Sequence, residues 1–323
     1  MIYRGSRGDF LVQMEIDNQQ ANPFWLHRFI LFTTACTFLL IIAGALVTGN
    51  EAGLAVPDWP LSYGSLMPPM VGNIRYEHGH RMIAAFVGFL TTVLAVWLWR
   101  REPRRAVRWL GLIALGMVIG QGILGGITVL LFLPTVISVS HACLAQAFFC
   151  TMVSLALVTA PKQQGLEFRR LTENPGAPLQ RLCVLTTAAI YVQLIIGAAL
   201  RHSKSGILLH LGGAFVVAVL VVLTVARTLR HYGGSLQLVR SASILGLLLT
   251  GQLFLGIGSY VVRLTARNDV QPALSVVTVT TAHVALGALV LATSLILAIQ
   301  SHRTLSPFLE TTPLPSAAQR VTS

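Results

Sequence analysis

This sequence predicts an all-α integral membrane protein: eight transmembrane helices, built as two tandem four-helix bundles related by a pseudo-two-fold axis along the membrane normal. Three observations lead there. The 323 residues are 54% hydrophobic and only 11% charged, with mean hydropathy +0.72, whereas a soluble domain carries about a quarter charged residues. Eight apolar runs are each long enough to cross a bilayer, which takes about 20 residues. The second four runs then repeat features of the first four in order.

The predicted helices are 24–48, 79–99, 107–131, 138–160, 182–200, 207–229, 241–262 and 275–299. The first carries Ile42-Ala43-Gly44-Ala45-Leu46, matched in the fifth by Ile196-Gly197-Ala198-Ala199-Leu200. The second and sixth open on His80 and His210. The third and seventh carry Gln121-Gly122-Ile123-Leu124-Gly125 and Gln252-Leu253-Phe254-Leu255-Gly256, and the fourth and eighth carry His141 and His283. Four helices per repeat give both halves the same orientation. Small residues at matched places also suit close helix packing in lipid.

The expected organisation is a polar segment at 1–23 with no cleavable leader apparent, a first bundle at 24–160, a linker at 161–181, a second bundle at 182–300 and a polar tail at 301–323. Pro161, Pro175 and Pro178 suit an exposed linker, and the Pro/Thr/Ser-rich tail suits a mobile end. The loop 49–76 contains Gly49, Gly53, Pro57, Pro60, Gly64, Pro68 and Pro69 between Leu54, Trp59, Leu61, Tyr63, Leu66 and Met67. A loop this apolar should pack onto the membrane face or cover a pocket.

A net charge of +12 invites a nucleic-acid reading, but its distribution argues otherwise. Counted by alternate loops, 17 of the 23 Lys and Arg fall on the side holding both termini. The other side has Arg75, Arg81, Arg201, Lys204, Arg263 and Arg267. By the positive-inside rule both termini are cytoplasmic, in the cell inner membrane, and the sparse side is periplasmic. Cys36, Cys143, Cys150 and Cys183 all lie in apolar runs, which suits buried small hydrophobes rather than a disulfide. Cys143 follows His141 by two residues, and helical i and i+2 face different ways.

Intramembrane histidine usually marks a site. His80, His141, His210 and His283 sit one per helix, each near the outer end, so they share an approximate depth. Two facing helices with one imidazole each can supply both axial ligands of a haem iron, which pairs His80 with His141 and His210 with His283. The plain alternative is that each merely bonds a neighbouring helix. Zinc would need more ligands than two imidazoles per half. His27, His231 and His302 lie at the cytoplasmic interface, and His78 and His202 in or beside outer loops, so solvated roles are expected for these five.

Glu77 precedes His80 by three residues and shares its helical face. It could orient the ligand, move protons, or simply favour the helix N-terminus. Ile207 takes its place relative to His210, so one half is expected to react while the other carries electrons. Arg81, Arg201, Lys204, Arg263 and Arg267 lie at the level of the histidines and are candidates to pair with haem propionates. A di-haem b electron carrier linked to quinol and a transporter built on a duplicated bundle are the competing readings. A carrier would yield only haem b on extraction, and a transporter no haem absorption.

The sequence resembles the haem A synthase family. Glu77-His78-Gly79-His80-Arg81-Met82 matches the family's Glu-x-x-His-Arg motif, and Gly53-Leu54-Ala55-Val56-Pro57-Asp58-Trp59-Pro60 is similar to its first-loop signature. So are Gln121-Gly122-Ile123-Leu124-Gly125-Gly126-Ile127-Thr128-Val129 and Ser140-His141-Ala142-Cys143-Leu144-Ala145-Gln146. The resemblance spans all eight helices, with the more specific motifs in the first half. It implies an enzyme that oxidises the C8 methyl of haem O to a formyl group, giving haem A for terminal oxidases. It further implies that His80 and His141 bind the substrate haem, that Glu77 is essential, and that His210 and His283 ligate a resident haem b. A haem O synthase, an electron acceptor and a homo-oligomer are the partners it implies. Some members carry a cysteine pair in the first outer loop; this chain has none there.

Overall fold

The computed structural model describes residues 7–161, 171–172, 178–203, 206–266 and 271–306, with side chains for 24–161, 178–203, 206–266 and 271–305. Among them run α1 (Arg7–Gly49), α2 (Ile74–Arg101), α3 (Arg105–Leu130), α4 (Thr135–Thr159), α5 (Leu179–Ser203), α6 (Ile207–His231), α7 (Leu236–Thr265) and α8 (Leu274–Thr304). All eight are long and apolar enough to cross a membrane, α1 over Phe24–Gly49, and the chain is a multi-pass membrane protein.

Several helices outrun the apolar runs that announced them. α2 begins at Ile74 rather than 79, which places Glu77 in its first turn, and α8 runs to Thr304. Hydropathy marks where lipid begins, but in low dielectric the backbone must satisfy its own hydrogen bonds, so helices continue past that boundary. α8 therefore continues into the tail expected from 301. Leu305–Ser306 (β2) pairs in parallel with Leu171–Thr172 (β1) of the linker, and Gln180 Nε2 donates to the Leu305 carbonyl at 3.0 Å. Residues 162–170, 173–177 and 307–323, parts of the expected linker and tail, lie outside the described residues.

In the first half α1 packs on α2, α2 on α3, α3 on α4 and α4 back on α1; α5 to α8 close the same ring. The halves meet through α1 on α8, α4 on α5 and α4 on α8. Replacing each helix by the one four places later leaves this pattern of neighbours unchanged, as a two-fold relation between the bundles requires.

Lipid offers little hydrophobic drive between helices, so close packing and polar contacts hold such bundles. Thr186 and Thr224 hydroxyls meet at 2.9 Å between α5 and α6, and Thr187 meets Ser294 at 2.8 Å between α5 and α8. Ser241 donates to Gln300 at 2.7 Å between α7 and α8. Tyr191 OH on α5 donates to the Cys143 carbonyl on α4 at 3.1 Å, across the two halves. Bonds of this kind contribute on average about 0.6 kcal/mol each.

The largest fully buried apolar side chains gather towards one end of each bundle. In the first half the core joins Leu26 and Ile30 of α1 to Leu94 and Leu98 of α2, and to Met152 and Leu155 of α4. In the second it joins Leu179 and Cys183 of α5 to Val221 of α6, Leu238 and Leu245 of α7, and Leu297 of α8. These residues gather at the end where α4 connects to α5. The histidines lie at the opposite end, which also carries the α1–α2 loop and is called the loop end below.

Candidate functional site

His80 and His141 are each the seventh residue of their helices, His210 the fourth and His283 the tenth. At 1.5 Å per residue they lie roughly 5 to 14 Å in from the loop end. Every one rests its ring on a glycine of the preceding helix. A Cβ added at Gly44 would stand 3.2 Å from His80 Cε1, at Gly125 3.4 Å from His141 Cε1, at Gly197 3.1 Å from His210 Cε1, and at Gly256 3.3 Å from His283 Cε1. The same ring edge meets the same kind of seat four times. Glycine suits these places because a Cβ there would press on the imidazole, which would have to give by a few tenths of an ångström.

One helical turn before three of these seats stands a glutamine. Gln121 Nε2 donates to the His141 carbonyl at 2.9 Å. Gln193 Nε2 donates to the His210 carbonyl at 2.7 Å and lies 3.0 Å from His210 Nδ1. Gln252 Nε2 stands 3.5 Å from His283 Nε2. The pattern Gln-x-x-x-Gly was present in the sequence but had served only as a mark of duplication. Recurrence of that spacing on α3, α5 and α7 was the signal for a contact with histidine.

The imidazoles group as the sequence paired them: His141 lies within electrostatic range of His80, and His210 of His283. Nδ1 of His80, His141 and His283 is buried without a hydrogen-bond partner, an expensive condition unless the ring has another occupation. Among the described residues no group of three or more His, Cys, Asp or Glu could hold a metal ion. Two imidazoles per half, seated on glycines towards the loop end, fit a bis-histidine haem iron.

Around the first pair the α1–α2 loop is tied down. Glu77, 3% exposed, accepts from the Val56 amide at 2.8 Å and pairs with Arg81 at 2.6 Å. Arg81 also donates to the carbonyls of Asp58 at 2.8 Å, Leu61 at 2.9 Å and Val56 at 3.3 Å. Both terminal nitrogens of this propionate candidate are thus engaged by the loop and Glu77. Asp58 accepts from the amides of Tyr63 and Gly64 at 2.7 and 2.8 Å. Those amides, with Arg81 nearby, hold its carboxyl below the usual aspartate range.

Trp59 lies so close to α3 that a Cβ on Gly126 would fall 2.7 Å from its ring, one residue from the seat of His141. The loop therefore covers the loop end of the first pair. His78, expected to be solvated, is instead buried at 6% exposure, with Nδ1 at 2.8 Å from Ser62 Oγ. The apolar loop folds over it, which composition around a single His does not reveal.

At the loop end of the second half, Arg201 and Arg263 lie within electrostatic range of one another, with Glu51 of the first loop nearby. Two guanidiniums brought together, with one exposed carboxylate near them among the described residues, fit a site for added negative charge. Lys204 and Arg267, the other two cation candidates, lie outside the described residues. The second pair has no carboxylate where Glu77 stands; Ile207 occupies that place.

Residues 72–300 match the family model described as cytochrome oxidase assembly protein. The chain is 25% identical over 260 residues to a protein of Shouchella clausii named Heme A synthase, covering 72% of this chain and 85% of that protein. It is 29% identical over 193 residues to the Heme A synthase of Halalkalibacterium halodurans, covering 56% of this chain and 62% of the other. A Bacillus pumilus protein of the same name is 23% identical over 262 residues, with 73% and 85% covered. The family match takes in six of the eight helices whole, α2 to α7, and most of α8, with all four histidines and Glu77, and the chain belongs to the haem A synthase family of cytochrome oxidase assembly proteins.

Proposed function

We propose that this protein is a haem A synthase, an oxidoreductase that converts the C8 methyl of haem O to a formyl group. His80 and His141 hold the substrate, haem O, as axial ligands in the first half. His210 and His283 hold a resident haem b in the second, with Arg201 and Arg263 as partners for its propionates and Lys204 and Arg267 as further cations at that level. When bound, haem b supplies one-electron transfer.

One asymmetry between otherwise matched halves carries this reading: Glu77, with its clamped loop, stands over the first pair alone. Oxidising a methyl to a formyl group removes electrons and protons from the carbon and adds oxygen, so that half needs a group able to take protons. Glu77 is the carboxylate placed for it. Arg81 and the Val56 amide fix its position, and Trp59 and the loop restrict water at the loop end. His80 and His141 orient the porphyrin, and their glycine seats fix the rings.

Both termini are cytoplasmic and the sites lie towards the periplasmic side of the inner membrane, a reading supported by the excess of Lys and Arg on the side holding the termini. A haem O synthase as supplier and an electron acceptor complete the system, and homo-oligomers are compatible with it. The assignment of halves is tested by optical and pigment analysis of purified variants. His210→Ala and His283→Ala should lose the low-spin haem b spectrum, while His80→Ala keeps it and loses haem O turnover. Haem b retained in both second-half variants would refute the assignment.

A further inference from the structure

Four histidines share one seat geometry, but only three have the glutamine that goes with it. On α3, α5 and α7 a glutamine precedes the seat by one turn, at Gln121, Gln193 and Gln252; on α1 the corresponding residue is Leu40. Leu40 packs with the apolar core of the first half. The ring of His80 senses His141 and Arg81, and its Nδ1 is buried without a partner. By contrast, Gln121 and Gln193 grip the backbone carbonyl of their histidines, and Gln252 approaches the His283 ring. Each of these glutamines also keeps a buried Oε1 with no hydrogen-bond partner. Through Nε2 these glutamines hold the backbone that carries the imidazole, at His141 and His210, or stand against the ring, at His210 and His283, and outer partners of this kind orient a metal-bound histidine.

We infer that His80 is the exchangeable axial ligand of the first-half site, because α1 offers Leu40 where the other three seat helices offer a positioning glutamine. The inference rests on the proposed function. A resident cofactor should be gripped by two supported ligands, as His210 and His283 are by Gln193 and Gln252. A substrate that must enter as haem O and leave as haem A is better served by one supported ligand, His141, and one that lets go.

Two reciprocal variants test this. Purified protein loaded with haem O is mixed with excess apomyoglobin, and loss of the first-half haem is followed optically. Haem b, quantified in the extracted pigment, reports that the second half remains folded. Removing such an outer partner typically costs 10–100-fold in affinity. Gln121→Leu should therefore speed haem O loss by about that factor, and Leu40→Gln should slow it by a similar one. The midpoint potential of the first-half haem should shift in opposite directions in Leu40→Gln and Gln121→Leu, as firmer and looser ligation by the histidine require; a purely structural role for Gln121 would leave the potential in place.

If Leu40→Gln does not fold, Gln121→Leu alone decides. Unchanged loss rates and potentials in the variants that retain haem b overturn the inference. A parent protein that takes up no haem in either half overturns the proposed function, and this inference with it.

Discussion

Arg81 is the residue whose replacement should most directly release the loop over the first histidine pair. Its guanidinium holds three loop carbonyls, those of Val56, Asp58 and Leu61, together with Glu77. The Arg81 and Glu77 side chains are only 16% and 5% exposed, so water cannot readily replace these bonds. Arg81→Lys keeps the positive charge beside Glu77 and avoids the larger cost of stranding a buried carboxylate, about 3–5 kcal/mol. A lysine ammonium lacks the planar fork, however, and cannot reach carbonyls on several sides at once. Losing two or three hydrogen bonds at about 1 kcal/mol each gives roughly 2–3 kcal/mol towards loop opening. That corresponds to about a 30- to 150-fold rise in the open population, at tenfold per 1.4 kcal/mol. Hydrogen exchange by mass spectrometry on protein in nanodiscs should show the amides of Val56, Tyr63 and Gly64 exchanging faster by this factor, with the helices unchanged. Equal exchange in parent and variant would refute the latch.

Trp59→Ala should lower haem O turnover more than haem b content, because the indole lies over the first half; pigment content and turnover measured on one preparation check this, and equal losses contradict it. Gly126→Ala should have the same signature, since its Cβ would meet the indole at 2.7 Å. Asp58 yields a pH dependence. Its folded-state pKa is depressed by the Tyr63 and Gly64 amides and by Arg81, so its contribution to loop order is complete above the ordinary aspartate pKa of about 3.9. It is lost as pH falls through the lower folded value. Loop protection should thus stay flat down to about pH 4 and decline below it, while Asp58→Asn removes the decline.

Much of this molecule is legible in the sequence because lipid restricts the options. Eight apolar runs can only be helices, and matched histidines on helices that start at the same end must share a depth. That shared depth is what proposes the pairs His80 with His141 and His210 with His283. The loop was harder. Its apolar content implied a cover, but the ligation of Arg81 by three carbonyls depends on turns whose geometry no local pattern specifies. Sequence sets Arg81 at the level of the histidines and His78 beside the outer loop, but gives position along a helix and not what folds back upon it, which for His78 is a burying loop. The glycine seats went unread for a related reason. A small residue in a transmembrane helix usually serves helix packing, and only the third dimension places an imidazole against it.

The central claim, that the first half reacts and the second serves it, is tested most directly by pigment analysis of Glu77→Gln. Glutamine keeps the size of Glu77 and can still accept from the Val56 amide, but cannot exchange protons as a carboxylate does. The account predicts a folded variant with a full complement of haem b and with haem O bound in the first half, yet little haem A, with pigment halted at haem O or a partly oxidised intermediate. Haem A formed at the parental rate would contradict it, leaving Glu77 as an anchor for the loop and removing the chemical distinction between the two halves.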